Sequence, residues 1–536
     1  MLTVITSKLI HRLCIPQHQN MVHEIIRSVS IPSKLKNIVS EKQEMNGALD
    51  TYERAIVALN SLQSNASRFA QSVALRQHNV ICTQVQQTEK YLIRSGMDCK
   101  DLDRLSVIHV AGTKGKGSTS AFTDSILSSF GITTGFFSSP HLIHVNERIR
   151  INGTPVSKEL FAKYFWKVYH TLDNQKEHDK DMPAYFQFLT LMSFHLFLAE
   201  KVDVVILEVG LGGEHDCTNV VRNTKTVGIT SLGLEHTSIL GNTLTEIAWQ
   251  KAGIIKQNSD VFSVPQPDEC IETIQSRCAS RNATLHIIPP FKDYNWPNTA
   301  ITKSTFNDVQ QLNASLAIQL SWNWLKHNPQ MIKNPILIDL LEENPKQLLN
   351  LTNEFITGIN NFSWPGRFQT LQRNNQRFFI DGAHTMESLK LCLEWFKLKT
   401  SDSPNRKMLL FNVTGDRDAE KMLQILYDNG IFDCAIFSPN FSSLNVGIDN
   451  DSYSALQGSN SCERCAAHAG IWTKLLNQNL PHENNCDSKF DSSAHIFNCI
   501  AEVLSFLDNE CKINGEEADV LVTGSLHLVG ATLSAI

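Results

Sequence analysis

The sequence lacks two features that would each point to a particular class of protein. It has no uninterrupted apolar run long enough to cross a bilayer, although 42% of its 536 residues are hydrophobic. It has no excess of basic charge, since 48 Lys and Arg face 54 Asp and Glu and give a net charge of −6. A nucleic-acid partner is therefore not indicated. The length exceeds what one hydrophobic core supports and predicts two or three globular domains.

The cysteines also lack a pattern. Thirteen of them are scattered between Cys14 and Cys511 without the compact spacing of a disulfide framework, so we expect reduced thiols in an intracellular compartment. Cys462 and Cys465 form a CxxC pair. A zinc site normally needs a second pair, and the surrounding stretch is polar, so these two thiols are predicted to be solvent-exposed.

Residues 1–44 differ in composition from the rest of the chain. The first 23 residues contain no Asp or Glu, carry Lys8 and Arg12, and space their aliphatic side chains as in an amphipathic helix. This composition is typical of a mitochondrial transit peptide, and an uncleaved disordered tail is the alternative. Because Met21 and Met45 could each start a shorter product, we expect mitochondrial and cytosolic forms.

A glycine-rich turn follows an apolar strand at residues 107–118, which read VIHVAGTKGKGS. Glycines let the backbone approach phosphate oxygens, Lys116 can neutralise their charge, and the Ser118 hydroxyl can reach Mg²⁺. The match to a Walker A loop is imperfect, because its first glycine would fall at Val110, and a turn without a ligand remains the alternative. The residues predicted to bind ATP are Gly112, Thr113, Lys114, Gly115, Lys116, Gly117 and Ser118.

Apolar runs alternate with helical patterns along the chain, which predicts mainly parallel sheets covered on both faces. We predict strands at 107–111, 134–138, 202–209, 226–231, 378–381, 408–413, 433–438 and 519–523, and helices at 51–62, 85–96, 118–130, 185–200, 244–254 and 345–359. These give an α/β fold of two domains, 45–355 and 356–536. A polar stretch at about 440–493 is interpreted as mostly a surface insertion.

Polar residues stand where several of these strands end. Ser139 follows the second strand, Glu208 ends a wholly apolar strand, and His236 follows another. A carboxylate such as that of Glu208 is poorly solvated there unless it meets a cation or caps loop amides. Because parallel strands bring their carboxyl ends to one edge, we expect these groups to converge there.

Nine stretches together resemble the folylpolyglutamate synthase family of the Mur ligase superfamily, in its eukaryotic form. They occur in the family's order from about residue 51 to the C-terminus and read VAGTKGKGS, FFSSPHL, NERIRING, YFQFLTLMSF, LEVGLGGEHDCTN, LGLEHTSILGNTLTEIAWQKAGIIK, WPGRFQ, DGAHTMES and FNVTGDRD. The resemblance implies a P-loop-type ATPase domain, a Rossmann-like C-terminal domain that binds glutamate, and an active site in the cleft between them.

The resemblance also implies roles for individual residues. It assigns catalysis to Lys116, Lys251 and His384; further ATP contacts to Asn313, Arg367 and Asp381; metal binding to Ser139, Glu208, His236 and Lys251 as a carbamate; and folate binding to Phe137, Ser138, Pro140, His141, Tyr185 and Phe186. Core packing would explain at least half of these aromatic residues equally well. Three positions depart from the family pattern, namely Glu214, Glu235 and Val309.

The implied reaction adds L-glutamate to the γ-carboxylate of tetrahydrofolate and its polyglutamates through an acyl phosphate, releasing ADP and phosphate. It would use ATP with two Mg²⁺ ions, and a monovalent cation such as K⁺ is compatible with it. The alternatives are a dihydrofolate synthase and a catalytically silent nucleotide- or folate-binding protein. Because no covalent protein nucleophile is needed, Cys217 is interpreted as structural. We expect a monomer whose partners are small molecules, and the sequence leaves peripheral membrane contact open.

Overall fold

The computed structural model describes residues 50–62, 83–179, 181–296, 306–343, 348–415, 417–429, 431–444, 451, 461–478, 493–515 and 517–536. The predicted targeting segment, residues 1–44, and the candidate start Met45 lie outside this part of the chain. Within it, no helix has both the length and the apolar character needed to span a membrane.

A sheet of eight strands organises the first unit. Its strands are β1 (Val107–Ala111), β2 (Thr134–Phe137), β3 (Ile149–Ile151), β4 (Thr154–Pro155), β5 (Val204–Glu208), β6 (Thr226–Ile229), β7 (Asp260–Ser263) and β8 (Thr284–Ile287). They lie in the order β4-β3-β2-β5-β1-β6-β7-β8. All neighbours are parallel except the β2-β3 and β3-β4 pairs, so the ends of β1, β5 and β6 lie side by side.

Helices cover both faces of this sheet. They are α1 (Tyr52–Ser61), α2 (Gln84–Arg94), α3 (Cys99–Leu102), α4 (Lys116–Ser129), α5 (Lys158–Asn174), α6 (Tyr185–Ala199), α7 (Thr237–Leu240), α8 (Leu244–Lys251), α9 (Asp268–Ser280), α10 (Asp308–His327), α11 (Pro335–Glu343) and α12 (Asn353–Asn360). Helix α6 is apolar around most of its circumference and is almost entirely buried, as such a composition requires. Helices α10 and α12 pack against α4, which carries the glycine turn at its start.

The second unit is built on six strands. These are β9 (Gln369–Arg373), β10 (Gln376–Ile380), β11 (Arg406–Phe411), β12 (Cys434–Phe437), β13 (Ala494–Ile496) and β14 (Ala518–Thr523), in the order β13-β12-β11-β14-β10-β9 with only β9 antiparallel. Its helices are α13 (Met386–Thr400), α14 (Ala419–Asp428), α15 (Ser461–Gln478), α16 (Ile500–Asn514) and α17 (Leu526–Ala535). The predicted α/β class with two sheets is confirmed.

The connection between the units differs from the predicted junction near residue 355. Helix α12 belongs to the first unit, because Phe355 and Ile359 are buried in its core and Gly358 lets the helix approach the backbone of α4 at Ile126. The second sheet begins only at Gln369. The predicted helix 345–359 starts later than expected, at Asn353, where Thr352 is its N-cap residue.

The interpretation of 440–493 as mostly a surface insertion is wrong for its central part. Helix α15 occupies Ser461–Gln478 and buries Cys465, Trp472 and Leu475 against the second sheet. These residues recur on one face of the helix, although the intervening sequence is polar. Of the CxxC pair, Cys462 is exposed while Cys465 is fully buried. The expectation that both thiols are solvent-exposed is therefore wrong for Cys465.

Candidate active site

The glycine turn leads directly from β1 into α4. Gly112 and Gly115 have φ values of 151° and 89°, which side-chain-bearing residues rarely adopt. A Cβ at Gly115 would also collide with the Asn313 side chain. The turn therefore directs the first amides of α4 toward the cavity, where an anion would meet N–H groups and the positive end of the helix. Lys116 Nζ lies 3.1 Å from the Gly112 carbonyl oxygen.

This turn lines one side of a cavity of about 1110 Å³ between the two units. We call its charged side the phosphate wall, formed by Thr113, Lys114, Lys116, Glu208 and His236, and its uncharged side the α6 wall, formed by Gln84, Ala184, Phe186, Gln187 and Cys217. The second unit and its connecting segment contribute Trp364, Arg367, His384 and Leu526. The cavity is therefore lined by residues from both units, where the resemblance implied that the active site lies.

Glu208 is the buried acid of the phosphate wall. It ends β5 directly beside Val110 of β1 and is only 4% exposed. Burial raises its pKa, whereas the Lys116 charge and a hydrogen bond from the Ser139 amide, 3.1 Å from Oε2, lower it. A buried carboxylate beside a phosphate site is suited to a divalent cation.

The residues present fit Mg²⁺ only as a partial ligand set. Ser139 and His236 line the same cavity as Glu208, but the described residues contain no cluster of three His, Cys, Asp or Glu side chains that could hold a metal by themselves. Mg²⁺ commonly takes one or two protein ligands and completes its shell with substrate phosphates and water. The donor set is therefore suited to a metal that arrives with a nucleotide.

Lys251 lies behind the glycine turn at the end of α8. It is 4% exposed, and its Nζ donates a hydrogen bond to the Gly112 carbonyl at 2.8 Å. Burial lowers its pKa far below the usual value, and the nearby Lys116 charge lowers it further. A lowered pKa favours the uncharged amine, which is the form that reacts with CO₂, so the environment is compatible with the predicted carbamate.

A three-residue charge cluster joins the units at the cavity. Lys114 Nζ lies 3.1 Å from Glu235 Oε1 and 3.4 Å from His384 Nε2, and the Glu235 and His384 atoms are 3.4 Å apart. Burial raises the pKa of Glu235, but its contacts with His384 and Lys114 lower it more strongly. Glu235, which departs from the family pattern, thus reaches both partners. Its adjacent His236 has a left-handed backbone, with φ 52°.

The other predicted ATP residues support the cavity from behind. Asn313 is buried against Gly115 and accepts a hydrogen bond from the Thr119 hydroxyl at 3.4 Å. Asp381 is buried, accepts the Phe368 amide at 3.0 Å, and lies within the field of Arg367, which itself lines the cavity. Their direct contact with a nucleotide stays a prediction.

The predicted folate residues are divided by the structure. Ser138, Pro140 and Phe186 line the cavity. Phe137 is fully buried in the core, where its ring centre lies 5.7 Å from that of Phe186. Tyr185 and His141 are also buried and contact Arg148 instead of forming the cavity wall.

Sequence reasoning singled out no role for several lining residues. Arg148 and Trp364 lie in motifs that already carried the resemblance, NERIRING and WPGRFQ, so the motif was a signal for both. Trp364 packs beside Gly117, and Arg150 lies 5.1 Å over its ring. Trp249 lies in another of these motifs, LGLEHTSILGNTLTEIAWQKAGIIK. Gln84 comes from a helix whose local sequence gives no functional signal, and only the fold places it at the cavity.

Solved structures of bacterial folylpolyglutamate synthases share this fold. The enzyme from Mycobacterium tuberculosis, solved with ADP and AMPPCP, matches with a TM-score of 0.62 at 20% identity over 87% of this chain and 98% of its own. A bifunctional folylpolyglutamate synthase/dihydrofolate synthase with Mn, AMPPNP and L-glutamate bound matches with a TM-score of 0.58 at 23% identity over 84% and 93%. At these identities the likeness shows the fold alone.

Curated relatives are more similar in sequence. No protein-family model matches the chain. Mitochondrial folylpolyglutamate synthase from Bos taurus is 38% identical over 90% of this chain and 92% of its own length. A putative folylpolyglutamate synthase from Caenorhabditis elegans is 35% identical over 97% and 98%, and the yeast enzyme is 37% identical over 90% and 86%. With this identity over nearly its whole length, the chain belongs to the folylpolyglutamate synthase family.

Proposed function

We propose that this protein is an ATP-dependent, ADP-forming ligase that adds L-glutamate to the γ-carboxylate of tetrahydrofolate and its polyglutamates. Membership of the family supports the folate-glutamate ligase activity. The observation that carries the proposal is that the glycine turn and residues of the second unit line one cavity. Such a cavity can hold a nucleotide and an acceptor together while the second unit supplies the partner for the new bond.

The first step is the binding of ATP at the phosphate wall. The amides at the start of α4 and Lys116 would bind its phosphates, while Arg367 approaches from the second unit. Glu208, Ser139, His236 and the carbamate of Lys251 would hold two Mg²⁺ ions. When bound, Mg²⁺ neutralises phosphate charge that would otherwise repel an attacking carboxylate.

The second step activates the acceptor. The folate γ-carboxylate attacks the γ-phosphorus of ATP in line, and the bond from this phosphorus to the β–γ bridging oxygen breaks. ADP is the leaving group, and the folate remains bound as an acyl phosphate. Lys116 stabilises the charge that develops on the transferred group. The α6 wall offers Phe186 as an aromatic surface for the pterin or benzoyl ring, with Gln84 and Gln187 as hydrogen-bonding amides.

The third step forms the amide bond. The amine of L-glutamate attacks the acyl carbon, a tetrahedral oxyanion forms, and inorganic phosphate leaves with the electron pair of the broken C–O bond. His384 is placed to accept the amine proton, because its Nδ1 donates to the Gly382 carbonyl at 2.8 Å and Nε2 faces the cavity cluster. Closure of the units protects the acyl phosphate from water.

Contacts between the units support such closure. Leu142, next to the predicted folate residues, packs against the core of the second unit. Gly530 of α17 lies so close to the Leu142 carbonyl that a Cβ there would collide with it. The loop after β2 is thus in direct contact with the second unit. We therefore expect that movement of the second unit also moves the acceptor side of the cavity.

Incubation of the purified protein with tetrahydrofolate, ATP, Mg²⁺ and labelled L-glutamate tests the proposal. We expect label in products that lengthen by single glutamates, with one ADP formed per addition. Dihydropteroate, supplied in a parallel reaction, should accept little label. Preference for dihydropteroate would instead identify a dihydrofolate synthase, and folate binding without incorporation would identify a silent binding protein.

We also propose that the protein acts in mitochondria and in the cytosol through different start sites. The mammalian relatives are named as mitochondrial enzymes, whereas the yeast relative carries no such designation. The acid-free composition of the first 23 residues supports a mitochondrial form. A fluorescent fusion that starts at Met1 should localise to mitochondria, and one that starts at Met45 should localise to the cytosol.

A further inference from the structure

Arg148 is a buried cation that the reaction scheme above does not use. Resting on the proposed function, we propose that Arg148 binds the folate carboxylate that is to be activated, and that His141 is the positioning residue that orients its guanidinium. Arg148 lines the cavity and yet is only 6% exposed. It directly precedes β3, which belongs to the edge hairpin that the sequence analysis did not predict.

The guanidinium has no acidic partner among the described residues. No Asp or Glu in that part of the chain forms an ion pair with Arg148, whereas Arg94, also buried, pairs with Asp181 at 2.7 Å. A buried charge without a counter-ion is costly, and arginine keeps its proton at neutral pH although burial lowers its pKa. The cavity wall around Arg148 is therefore suited to an anionic ligand.

His141 fixes the direction in which this charge points. Arg148 Nε donates a hydrogen bond to His141 Nδ1 at 2.9 Å, and the guanidinium carbon lies 5.5 Å over the Tyr185 ring. Because Arg148 Nε–H can only donate, His141 Nδ1 is the acceptor of this bond. With Nε occupied, the N–H groups of Nη1 and Nη2 remain for a ligand, in the geometry that binds a carboxylate through two parallel bonds.

The position of Arg148 indicates that its ligand is the folate carboxylate and not a nucleotide phosphate. Arg148 and Glu208 line the same cavity as the glycine turn. Lys116 already serves the nucleotide phosphates on the glycine turn. Ser138 and Pro140, which precede the positioning His141, line the cavity on the acceptor side. A carboxylate bound by Arg148 would thus lie between the folate body and the ATP γ-phosphate.

The second unit holds the segment that carries Arg148. The Asp451 carboxylate accepts hydrogen bonds from His144 Nδ1 at 2.7 Å, from the Val145 amide at 3.3 Å and from the Tyr52 hydroxyl at 3.0 Å. These bonds fix the backbone between His141 and Arg148. The backbone segment that carries Arg148 is thus contacted by a residue of the second unit, which suits a group that must orient a reacting atom.

A pair of ligands that differ only in the reacting carboxylate tests the proposal. Tetrahydrofolate and its γ-carboxamide analogue are titrated calorimetrically into protein that contains Mg²⁺ and a non-hydrolysable ATP analogue. The wild-type protein should prefer the acid by about 10- to 100-fold, the value of a charged hydrogen-bonded pair. Arg148→Gln should reduce this preference to about 3-fold or less. Arg150→Gln, which removes a cavity arginine two residues away, should leave the ratio unchanged.

These measurements distinguish failure of the Arg148 role from failure of the proposed folate ligase function. If Arg148→Gln weakens both ligands equally, or leaves the acid preference intact, Arg148 does not bind the reacting carboxylate. If the wild-type protein binds neither ligand, the folate ligase function itself fails. Should Arg148→Gln not fold, as judged by circular dichroism, Arg148→Lys keeps the charge without the two-pronged geometry. The ratio of the two affinities for Arg148→Lys should lie between 1 and the wild-type ratio. A ratio equal to that of the wild-type protein would contradict the proposal.

His141 is tested by removing and restoring the hydrogen-bond acceptor. His141→Phe should reduce the acid preference by about 5- to 10-fold, because Arg148 loses one charged hydrogen bond. His141→Asn, whose side-chain carbonyl can accept from Arg148 Nε, should restore most of it. If Phe and Asn variants lose the preference equally, or if both keep it, His141 does not act through Arg148.

Discussion

The two walls of the cavity differ in the kind of group they offer. The phosphate wall presents charged groups, since the buried Glu208 lines the cavity together with Lys116, and the buried Lys251 lies behind the glycine turn. The α6 wall presents an aromatic ring, two amides and a thiol, none of which is charged. Preorganised charges stabilise charge that develops during a reaction, whereas neutral surfaces bind substrate and transition state about equally.

Because of this difference, substitutions in the two walls should change different kinetic constants. Substitutions in the phosphate wall should lower kcat, because they remove interactions that strengthen as the phosphoryl group is transferred. Substitutions in the α6 wall should raise KM for the folate and leave kcat almost unchanged. A variant that reversed this pattern would break the division between the walls.

Lys116→Ala is expected to have the largest effect. Loss of the ammonium beside the glycine turn should lower kcat by about 1000-fold or more, because the charge on the transferred phosphoryl group would lose its principal protein cation. Steady-state ADP release measures it, with the surface variant Lys100→Ala as control. Activity close to that of the wild-type protein would refute the phosphate role of Lys116.

His384→Ala tests whether the second unit contributes chemistry to the phosphate wall. It should lower kcat by about 100- to 1000-fold, since the proton acceptor for the amine is lost. His384 is half-buried at the cavity, so Tm should change little. His327→Ala serves as control and should retain activity, because His327 hydrogen-bonds to Asp260 and does not line the cavity. A Tm that falls in parallel with activity would indicate a packing role for His384.

The phosphate wall could be predicted from the sequence because its signals are local. A strand that runs into glycines and lysine identifies the turn, and apolar strands that end in Glu208 or lead to His236 must meet at one edge once the sheet is parallel. The confirmed strands at β1, β5 and β6 are short apolar runs with clear boundaries. Those features depend on neighbouring residues only.

The α6 wall and the second unit were harder to predict, for physical reasons. Phe137 ends β2 within the core, whereas Ser138, just past the strand, lines the cavity, and composition does not reveal where the strand ends. Helix α15 buries only a few apolar side chains within a polar sequence, so its periodicity is weak. Gln84 reaches the cavity only because α2 packs near the turn that contains Cys217.

Phe186→Ala probes the α6 wall and should have a moderate effect. The loss of one aromatic contact, about 1–1.5 kcal/mol, should raise KM for tetrahydrofolate by about 10-fold. KM for ATP and kcat should stay within about 2-fold of the wild-type values, because the Phe186 ring carries no charge that could stabilise the transferred phosphoryl group. Initial rates over a range of both substrates measure this. A fall in kcat without a change in KM would contradict the division between the walls.

Cys217→Ser should have the smallest effect and sharpens the description of the α6 wall. Gln84 Nε2 donates a hydrogen bond to Cys217 Sγ at 3.0 Å, and a serine hydroxyl can accept the same bond. KM and kcat should therefore change by less than about 2-fold. Cys217→Val has a similar volume but accepts no hydrogen bond, so it should raise KM for the folate a few-fold, as expected when a neutral hydrogen bond is lost. If Cys217→Ser abolished turnover instead, the thiol would take part in the chemistry, and the α6 wall would not be the neutral surface that its composition indicates.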